Sequence, residues 1–402
     1  MCTENGRFSK DIFERRARSL AAALAAREGG FEVAFIVGRV NMYWLAGTMQ
    51  DGIISLRPDG SVILWARRSF ERARDESPLA DIRPMRSYRD LLEEFPARMG
   101  RCYLDGESMT LAMLERMKKY LTMEDILPLD AVIARLRAVK EPGEIALMRE
   151  AGRRHAKLLD EVLPTLLVEG MSEAELGAEL YRAAVALGHQ GLMRVNMFQT
   201  EIAVAQIGFG TNSLYPTAFD GPGGMVGLHP AAPVLGSRDR LLKRGDLVFA
   251  DMGFGYCGYH SDKTRILSFG AEPPEQARAV HEACRTVLSR ALELLKPGTP
   301  CAAVWDAATK DLPSELHEHF MGYAKAQVGF LGHGVGLHID EPPVIMPKSR
   351  DVLEEGMVIA LEPKSGIQDY GMVGVEETYL ITPDGPECLT GGDRGLEESP
   401  CR

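Results

Sequence analysis

Two aspartates that lie eleven residues apart, Asp251 and Asp262, constrain this chain more than any other feature of its sequence. The run 247–250 is entirely apolar and predicts a buried strand that ends at Asp251. A glycine-rich connection follows, and the returning segment carries Asp262. Two strands joined by a tight connection bring the two carboxylates together, and carboxylates at close range need a proton or a cation between them. The pairing therefore predicts either a metal ion or a shared proton.

Three side chains further along the sequence can complete a metal site. His333 lies among glycines, and Glu362 and Glu376 each follow an apolar run. Four carboxylates and one imidazole form an oxygen-rich set, which favours Mn, Mg, Fe or Co and also admits zinc. Because carboxylates can bridge, the set predicts two divalent ions about 3.5–4 Å apart that activate a water molecule for hydrolysis.

The order and spacing of these residues resemble the pita-bread metallohydrolases, the family of methionine aminopeptidase, aminopeptidase P, prolidase and creatinase. The matching motifs are Asp-Lys-Thr-Arg at 262–265, Gly-His-Gly-Val-Gly-Leu at 332–337, Glu-Pro at 362–363 and Glu-Glu-Thr at 376–378. The resemblance is strong over about residues 137–384. It implies that the metal ligands are Asp251, Asp262, His333, Glu362 and Glu376. It also implies that Asp262 and Glu376 bridge the two ions.

The fold class predicted is an α/β N-terminal domain followed by an α+β pita-bread catalytic domain, with the domains at 1–136 and 137–402. In the first domain, apolar periodicity predicts helices near 8–28, 87–99 and 110–121, and strands at 31–37, 53–57, 61–65 and 102–105. This alternation is typical of an α/β domain. No nucleotide-binding glycine motif follows these strands, so the domain is interpreted as a lid or a dimerisation module.

The second domain is predicted to contain helices at about 142–166, 172–187, 274–296 and 301–311. Residues 196–243 are rich in Gly and Pro and predict a long functional or disordered loop. His229 lies in this loop, 22 residues before Asp251. The resemblance implies that His229 hydrogen-bonds the substrate or the tetrahedral intermediate.

Two positions depart from the family's peptidases, which usually have His where this chain has Asp340 and Arg where it has Gly374. An ionised Asp cannot donate a hydrogen bond to an oxyanion. His338 lies two residues earlier and, on an extended strand, would face the same side as Asp340 and could replace the donor. Alternatively, Asp340 could select a cationic substrate group or act as a base.

The function predicted is a dinuclear metal-dependent hydrolase, an Xaa-Pro dipeptidase or aminopeptidase that acts on small peptides with manganese ahead of cobalt, zinc or iron. The resemblance implies that a metal-bridging water attacks the carbonyl, that Glu362 moves its proton, and that His229 stabilises the developing charge. Asp340 and Gly374 motivate an alternative, a creatinase-like C–N hydrolase or a metal-dependent lyase. An inactive binding homologue ranks last because all five ligands are present.

Composition excludes some partners. The 57 acidic residues against 46 basic ones give a net charge of −11, which disfavours nucleic acid. No apolar segment approaches the ~18 residues of a membrane span, and the opening residues lack a signal-peptide core. Seven scattered cysteines indicate reduced thiols. We therefore expect a cytoplasmic protein without a membrane partner, and the resemblance adds a homodimer.

Overall fold

The computed structural model describes residues 6–27 and 29–399. The chain divides into two compact units, Met1–Arg137 and Ala138–Arg402. The division lies one residue after the boundary that the sequence predicted. Each unit has its own sheets and its own apolar core.

The first unit contains six strands and five α-helices within the described residues. The strands are β1 (Val33–Ile36), β2 (Gly52–Leu56), β3 (Val62–Ala66), β4 (Ile82–Pro84), β5 (Arg98–Leu104) and β6 (Thr122–Pro128). The helices are α1 (Lys10–Ala25), α2 (Arg39–Ala46), α3 (Phe70–Glu76), α4 (Leu111–Met117) and α5 (Asp130–Ala138), the last of which ends one residue beyond the division. The strands form one mixed sheet of order β4-β3-β2-β1-β5-β6.

The helix predicted at 87–99 is wrong. Residues Tyr88–Glu93 form a single 3-10 helix, and strand β5 begins at Arg98. Pro96 lies between them and explains the break, because proline lacks an N–H donor and disfavours helical geometry in the residue before it.

The second unit contains the remaining elements. Its helices are α6 (Pro142–Ala156), α7 (Leu163–Leu166), α8 (Glu173–Ala186), α9 (Glu275–Leu294) and α10 (Cys301–Thr309), with a π-helical turn at Lys157–Val162. Its longer strands are β7 (Ala205–Phe209), β8 (Leu247–Tyr256), β9 (Tyr259–Phe269), β13 (Glu341–Ile345) and β17 (Glu377–Thr382). The shorter strands are β10 (Gly322–Tyr323), β11 (Ala326–Gln327), β12 (Gly332–Gly334), β14 (Val358–Leu361), β15 (Lys364–Ile367), β16 (Gly371–Gly374), β18 (Gly385–Cys388) and β19 (Glu397–Ser399).

These strands form three sheets, of order β11-β10-β15-β16, β13-β12-β14-β17-β18 and β19-β9-β8-β7. Strand β7 lies inside the segment 196–243 that the sequence predicted as loop, and it pairs antiparallel with β8. That prediction is therefore wrong over Ala205–Phe209, which is wholly buried. Partnership with a neighbouring strand outweighed the high Gly and Pro content of the surrounding segment.

None of the helices in the described residues has both the length and the apolar character needed to cross a membrane.

Candidate metal centre

The β8–β9 hairpin positions the two aspartates that the sequence singled out. Its register places Asp251 opposite Thr264 and Asp262 opposite Gly253. Paired residues share a face of the sheet, and every second residue of a strand returns to that face. Both carboxylates therefore project from the same side, which confirms the predicted hairpin. Gln206 on β7 lies opposite Asp251 and joins this face.

The other three predicted ligands come from separate elements. His333 is the middle residue of β12, and Glu362 directly follows β14. Glu376 precedes β17 and forms an isolated bridge with Thr264. Candidate ligand atoms of Asp262, His333 and Glu376 lie within 4.8 Å of one another, as do those of Asp251, Glu362 and Glu376. The fold thus brings all five together, with Glu376 common to both groups.

The donor set suits a hard divalent cation. The Nε2 atom of His333 lies 3.6 Å from Glu362 Oε1 and 3.8 Å from Asp262 Oδ2. Its Nδ1 lies 3.1 Å from the Gly334 carbonyl oxygen, so Nδ1 can donate there while Nε2 keeps a lone pair for a metal. Thr264 Oγ1 donates to Glu376 Oε2 at 2.6 Å and orients that carboxylate. Carboxylate oxygens with one imidazole fit Mn, Co, Fe or Zn.

Lys364 lies among these carboxylates, although the sequence analysis did not include it. Its side chain is wholly buried, and Nζ donates to Asp251 Oδ2 at 2.9 Å, Glu362 Oε2 at 2.9 Å and Glu376 Oε2 at 2.7 Å. An ammonium has three N–H donors, so all three are used. The available signal was the spacing of Glu362 and Lys364, because residues two apart on an extended chain share a face.

The electrostatics of the centre follow from burial and crowding. Burial raises the pKa of Asp251 to about 6, with Glu376 adding to the rise and Lys364 opposing it. Burial and the neighbouring carboxylates raise the pKa of Asp262 well above its usual value. Burial alone would lower the pKa of Lys364, but the surrounding carboxylates outweigh burial and raise it well above its usual value. The centre therefore crowds four carboxyl groups together, and one ammonium offsets part of their mutual repulsion.

Gly374 lies directly opposite Lys364 on the paired strands β15 and β16. Its φ is +151°, and a Cβ there would lie 2.5 Å from Lys364 Cα and closer still to the Pro363 carbonyl oxygen. The arginine that the family resemblance led us to expect at this position has no room. Gly374 therefore packs directly against the backbone that carries Lys364.

Two adjoining cavities lie at the candidate metal centre. A cavity of about 20 Å³ is lined by the five candidate ligands together with Gln206 and Phe219. A larger cavity of about 530 Å³ shares Phe219 and His333 with it. The larger volume lies in the usual range of small-molecule sites, about 300–1,000 Å³. Its walls are mostly apolar, from Met197, Phe219, Phe330, Pro342, Val344 and Met346.

Asp340 also lines the larger cavity, and its carboxylate holds a loop. Oδ1 accepts a hydrogen bond from the Asn196 N–H at 2.5 Å, and Oδ2 accepts one from the Met197 N–H at 3.2 Å. Burial raises the pKa of Asp340. Asp340 therefore connects the segment after β12 to the loop that precedes β7.

The prediction that His338 shares a face with Asp340 on an extended strand is wrong. Residues 336–340 form bends, and the Gly336 N–H donates to the His338 carbonyl oxygen at 2.8 Å. Glycine permits this tight reversal, so the period of two does not apply here. His338 is not among the residues that line either cavity.

His229 is exposed, and its Nδ1 accepts a hydrogen bond from the Ala231 N–H at 3.1 Å. The structure does not bring it to the five ligands, and it lines neither cavity. A short turn, in which the Ala232 N–H donates to the His229 carbonyl oxygen at 2.8 Å, holds this segment. The hydrogen bond to substrate assigned to His229 stays a prediction. Phe219, which the sequence analysis missed, lies at the centre instead.

Comparison with known proteins bears on both units. Residues 146–383 match the metallopeptidase family M24, and residues 16–139 match the creatinase/prolidase N-terminal domain. The chain belongs to metallopeptidase family M24. The pita-bread resemblance and the predicted fold class are therefore confirmed, and the M24 chain is a metallopeptidase-type hydrolase.

Several relatives of this M24 chain carry the names Xaa-Pro dipeptidase or prolidase. It is 29% identical to an Xaa-Pro dipeptidase of Pyrococcus furiosus over 371 residues, which cover 92% of this chain and 96% of that protein. The solved prolidase of the same organism has a TM-score of 0.73 at 26% identity, covering 90% of this chain and 97% of that one. The prolidase of Pyrococcus horikoshii has the same fold, with a TM-score of 0.78 at 24% identity over 95% and 99% of the two chains.

Proposed function

We propose that this M24 chain is a divalent-metal-dependent peptidase that hydrolyses Xaa-Pro bonds, either in dipeptides or at the N-terminus of short peptides. The observation that carries the proposal is the convergence of five metal-ligand side chains beside a cavity of about 530 Å³. The names of the relatives, Xaa-Pro dipeptidase and prolidase, support proline as the specificity element. Manganese as the ion, a cytoplasmic location and a homodimer stay predictions from the sequence.

The residues of the centre would have different roles in the reaction. Asp262, His333, Glu362 and Glu376 point oxygen and nitrogen ligands at a common region and would hold the metal. A divalent ion, when bound, polarises the scissile carbonyl and acidifies water. Glu362 would accept the proton of the attacking water and return it to the leaving nitrogen. The apolar walls of the larger cavity would pack against the pyrrolidine ring and exclude water from it.

The test is cleavage of a panel of Xaa-Pro dipeptides and Xaa-Pro-Yaa tripeptides by manganese-loaded protein. His333→Ala is the matched control because His333 contributes a ligand without contacting Lys364. We expect cleavage by the wild type and a loss of at least about 10³-fold in kcat/KM for the variant. Preference for two or three residues would separate dipeptidase from aminopeptidase. Absence of cleavage by metal-loaded wild-type protein would contradict the proposal.

Asp340 supports a second candidate, the creatinase-like C–N hydrolase or metal-dependent lyase. Its carboxylate lines the cavity where a hydrogen-bond donor was expected, and a carboxylate recognises a guanidinium or another cationic group. Turnover of guanidinium compounds without cleavage of any Xaa-Pro peptide would favour this candidate.

A further inference from the structure

We propose that the ammonium of Lys364 takes the place of one of the two divalent ions that the resemblance implies, so that the centre holds a single ion. The ligands of that ion would be Asp262, His333 and Glu376, with Oε1 of Glu362. The inference rests on the proposed metal-dependent function and specifies its centre.

The first support is geometric. The carboxylates that Nζ contacts at 2.7–2.9 Å, those of Asp251, Glu362 and Glu376, are the three that form the second candidate ligand group. A first-row divalent ion coordinated by the same oxygens would lie about 2.0–2.2 Å from them. Such an ion would occupy the volume that Nζ already fills. The ammonium and a second ion therefore exclude each other.

The second support is the immobility of the lysine. Its backbone pairs with Gly374 in the β15–β16 ladder, and its carbonyl oxygen accepts a hydrogen bond from the Met321 N–H at 2.8 Å. Its side chain has no exposed surface. Displacement by a second ion would separate a wholly buried ammonium from all three of its carboxylate partners, which is costly.

The two carboxylate oxygens of Glu362 face different partners, the Lys364 ammonium and the proposed site of the single ion. Its Oε2 accepts from Lys364 Nζ at 2.9 Å, while its Oε1 lies 3.6 Å from His333 Nε2. One oxygen therefore serves the ammonium and the other faces the remaining ligand group. Lys364 acts as a positioning residue that orients Glu362 and Glu376 around the single ion, and it pairs with Asp251, which is not a ligand of that ion.

The experiment is the metal stoichiometry of the full chain after equilibrium dialysis against Mn(II), with elemental analysis and electron paramagnetic resonance. We expect one manganese per wild-type chain, with the hyperfine pattern of an isolated Mn(II). Lys364→Ala removes the ammonium and should bind two, with a spin-coupled spectrum. Its second ion should bind at least about 100-fold more tightly than any second ion in the wild type. Lys364→Arg retains the cation and should still bind one.

The possible outcomes distinguish failure of the single-ion inference from failure of the proposed function. Two spin-coupled ions in the wild type would overturn the inference and leave the metal-dependent function standing. No bound manganese in the wild type, also with Co, Zn or Fe, would overturn the proposed function and the inference with it. A single ion in a folded Lys364→Ala variant would show that the ammonium does not exclude the second ion and would overturn the inference. If that variant does not fold, the wild-type stoichiometry and spectrum still decide.

Discussion

Lys364 and Gly374 face each other across β15 and β16, and the backbone that carries Lys364 leaves no room for a Cβ at position 374. A Cβ at position 374 would collide with the Pro363 carbonyl oxygen and with Lys364 Cα, and it would lie 2.9 Å from the lysine Cγ. The lysine brings a positive charge into a cluster of four buried or mostly buried carboxylates, and the glycine makes the space for it. A departure that looked like a lost functional residue in the sequence is, in the structure, one half of a packed pair.

Replacement of Gly374 by alanine tests this packing. The added Cβ would lie 2.5 Å from Lys364 Cα, and the backbone at φ +151° resists a side chain. We expect a loss of about 2–4 kcal/mol in the free energy of unfolding, measured by urea denaturation followed by circular dichroism. Gly385→Ala is the control, because Gly385 has φ +117° but open space around its Cβ. That control should lose only about 1–2 kcal/mol, and equal losses would show that collision with Lys364 is unimportant.

The raised pKa of Asp105 should make the stability of the first unit depend on pH. This buried carboxylate accepts hydrogen bonds from the Val37 and Gly38 N–H groups, the shorter at 2.6 Å. Burial raises its pKa from 3.8 to about 7. Because the folded state holds the proton more tightly than the unfolded state, the stabilisation is complete below pH 3.8 and is lost as pH rises through about 7.

Asp105→Asn should remove this dependence, because an amide does not titrate. Between pH 5 and pH 8 we expect the wild type to lose about 2–3 kcal/mol more stability than the variant. Urea unfolding can be followed by tryptophan fluorescence, since Trp44 and Trp65 lie in the first unit. Identical pH profiles for the two proteins would rule out Asp105 as the titrating group.

At the scale of elements, the centre depends on loops that are attached by a few hydrogen bonds. The segment after β12 holds the loop before β7 through the Asp340 carboxylate and through the Ile339 N–H, which donates to the Arg194 carbonyl oxygen at 2.8 Å. That loop contributes Met197 to the larger cavity. The shape of the cavity therefore depends on contacts outside the ligand set.

Asp340→Ala should release this loop without removing a metal ligand. Two charge-assisted hydrogen bonds are lost, so we expect faster hydrogen exchange over residues 194–198 and a rise of about tenfold in KM. Bound manganese should be unchanged. Asp220→Ala is the matched control, since Asp220 is an exposed acid on the same cavity. If both variants exchange like the wild type at 194–198, the anchoring role of Asp340 is wrong.

At the scale of the whole molecule, all five candidate ligands belong to the second unit, and the first unit contributes none. Four of them are carboxylates crowded together, and their mutual repulsion opposes folding unless cations are present. Bound metal should therefore stabilise the elements that carry the ligands and leave the first unit's sheet unaffected.

Removal of the metal by a chelator should destabilise only the elements that carry the ligands. Removal of manganese with EDTA is expected to speed amide exchange in β8, β9 and β12, because an ion present at 100 times its Kd stabilises the state that binds it by about 2.7 kcal/mol. Exchange in β1 and β5 should not change. The His333→Ala variant should respond little to the chelator. A uniform change across both units would contradict the local effect.

The sequence by itself determined the β8–β9 hairpin and the five residues that converge, and it predicted a domain boundary between residues 136 and 137. These features follow from apolar runs, from the glycines that bound them and from fixed spacings between residues. Each of these signals can be recognised within a short stretch of the chain. The spacing of the ligand motifs also determined the family. Each of these signals lies within one element or in the order of elements along the chain.

Only the tertiary structure decided which side chains meet. Lys364 contacts Asp251, which lies 113 positions earlier in the sequence. The spacing of apolar residues within one strand does not show which other strand that strand will face. The same limit explains why the sequence did not predict strand β7, why His338 and Asp340 do not lie on one extended strand, and why His229 lies apart from the ligands. Contacts between distant elements depend on the packing of whole sheets, and that packing decided whether a cation from the chain itself enters the metal centre.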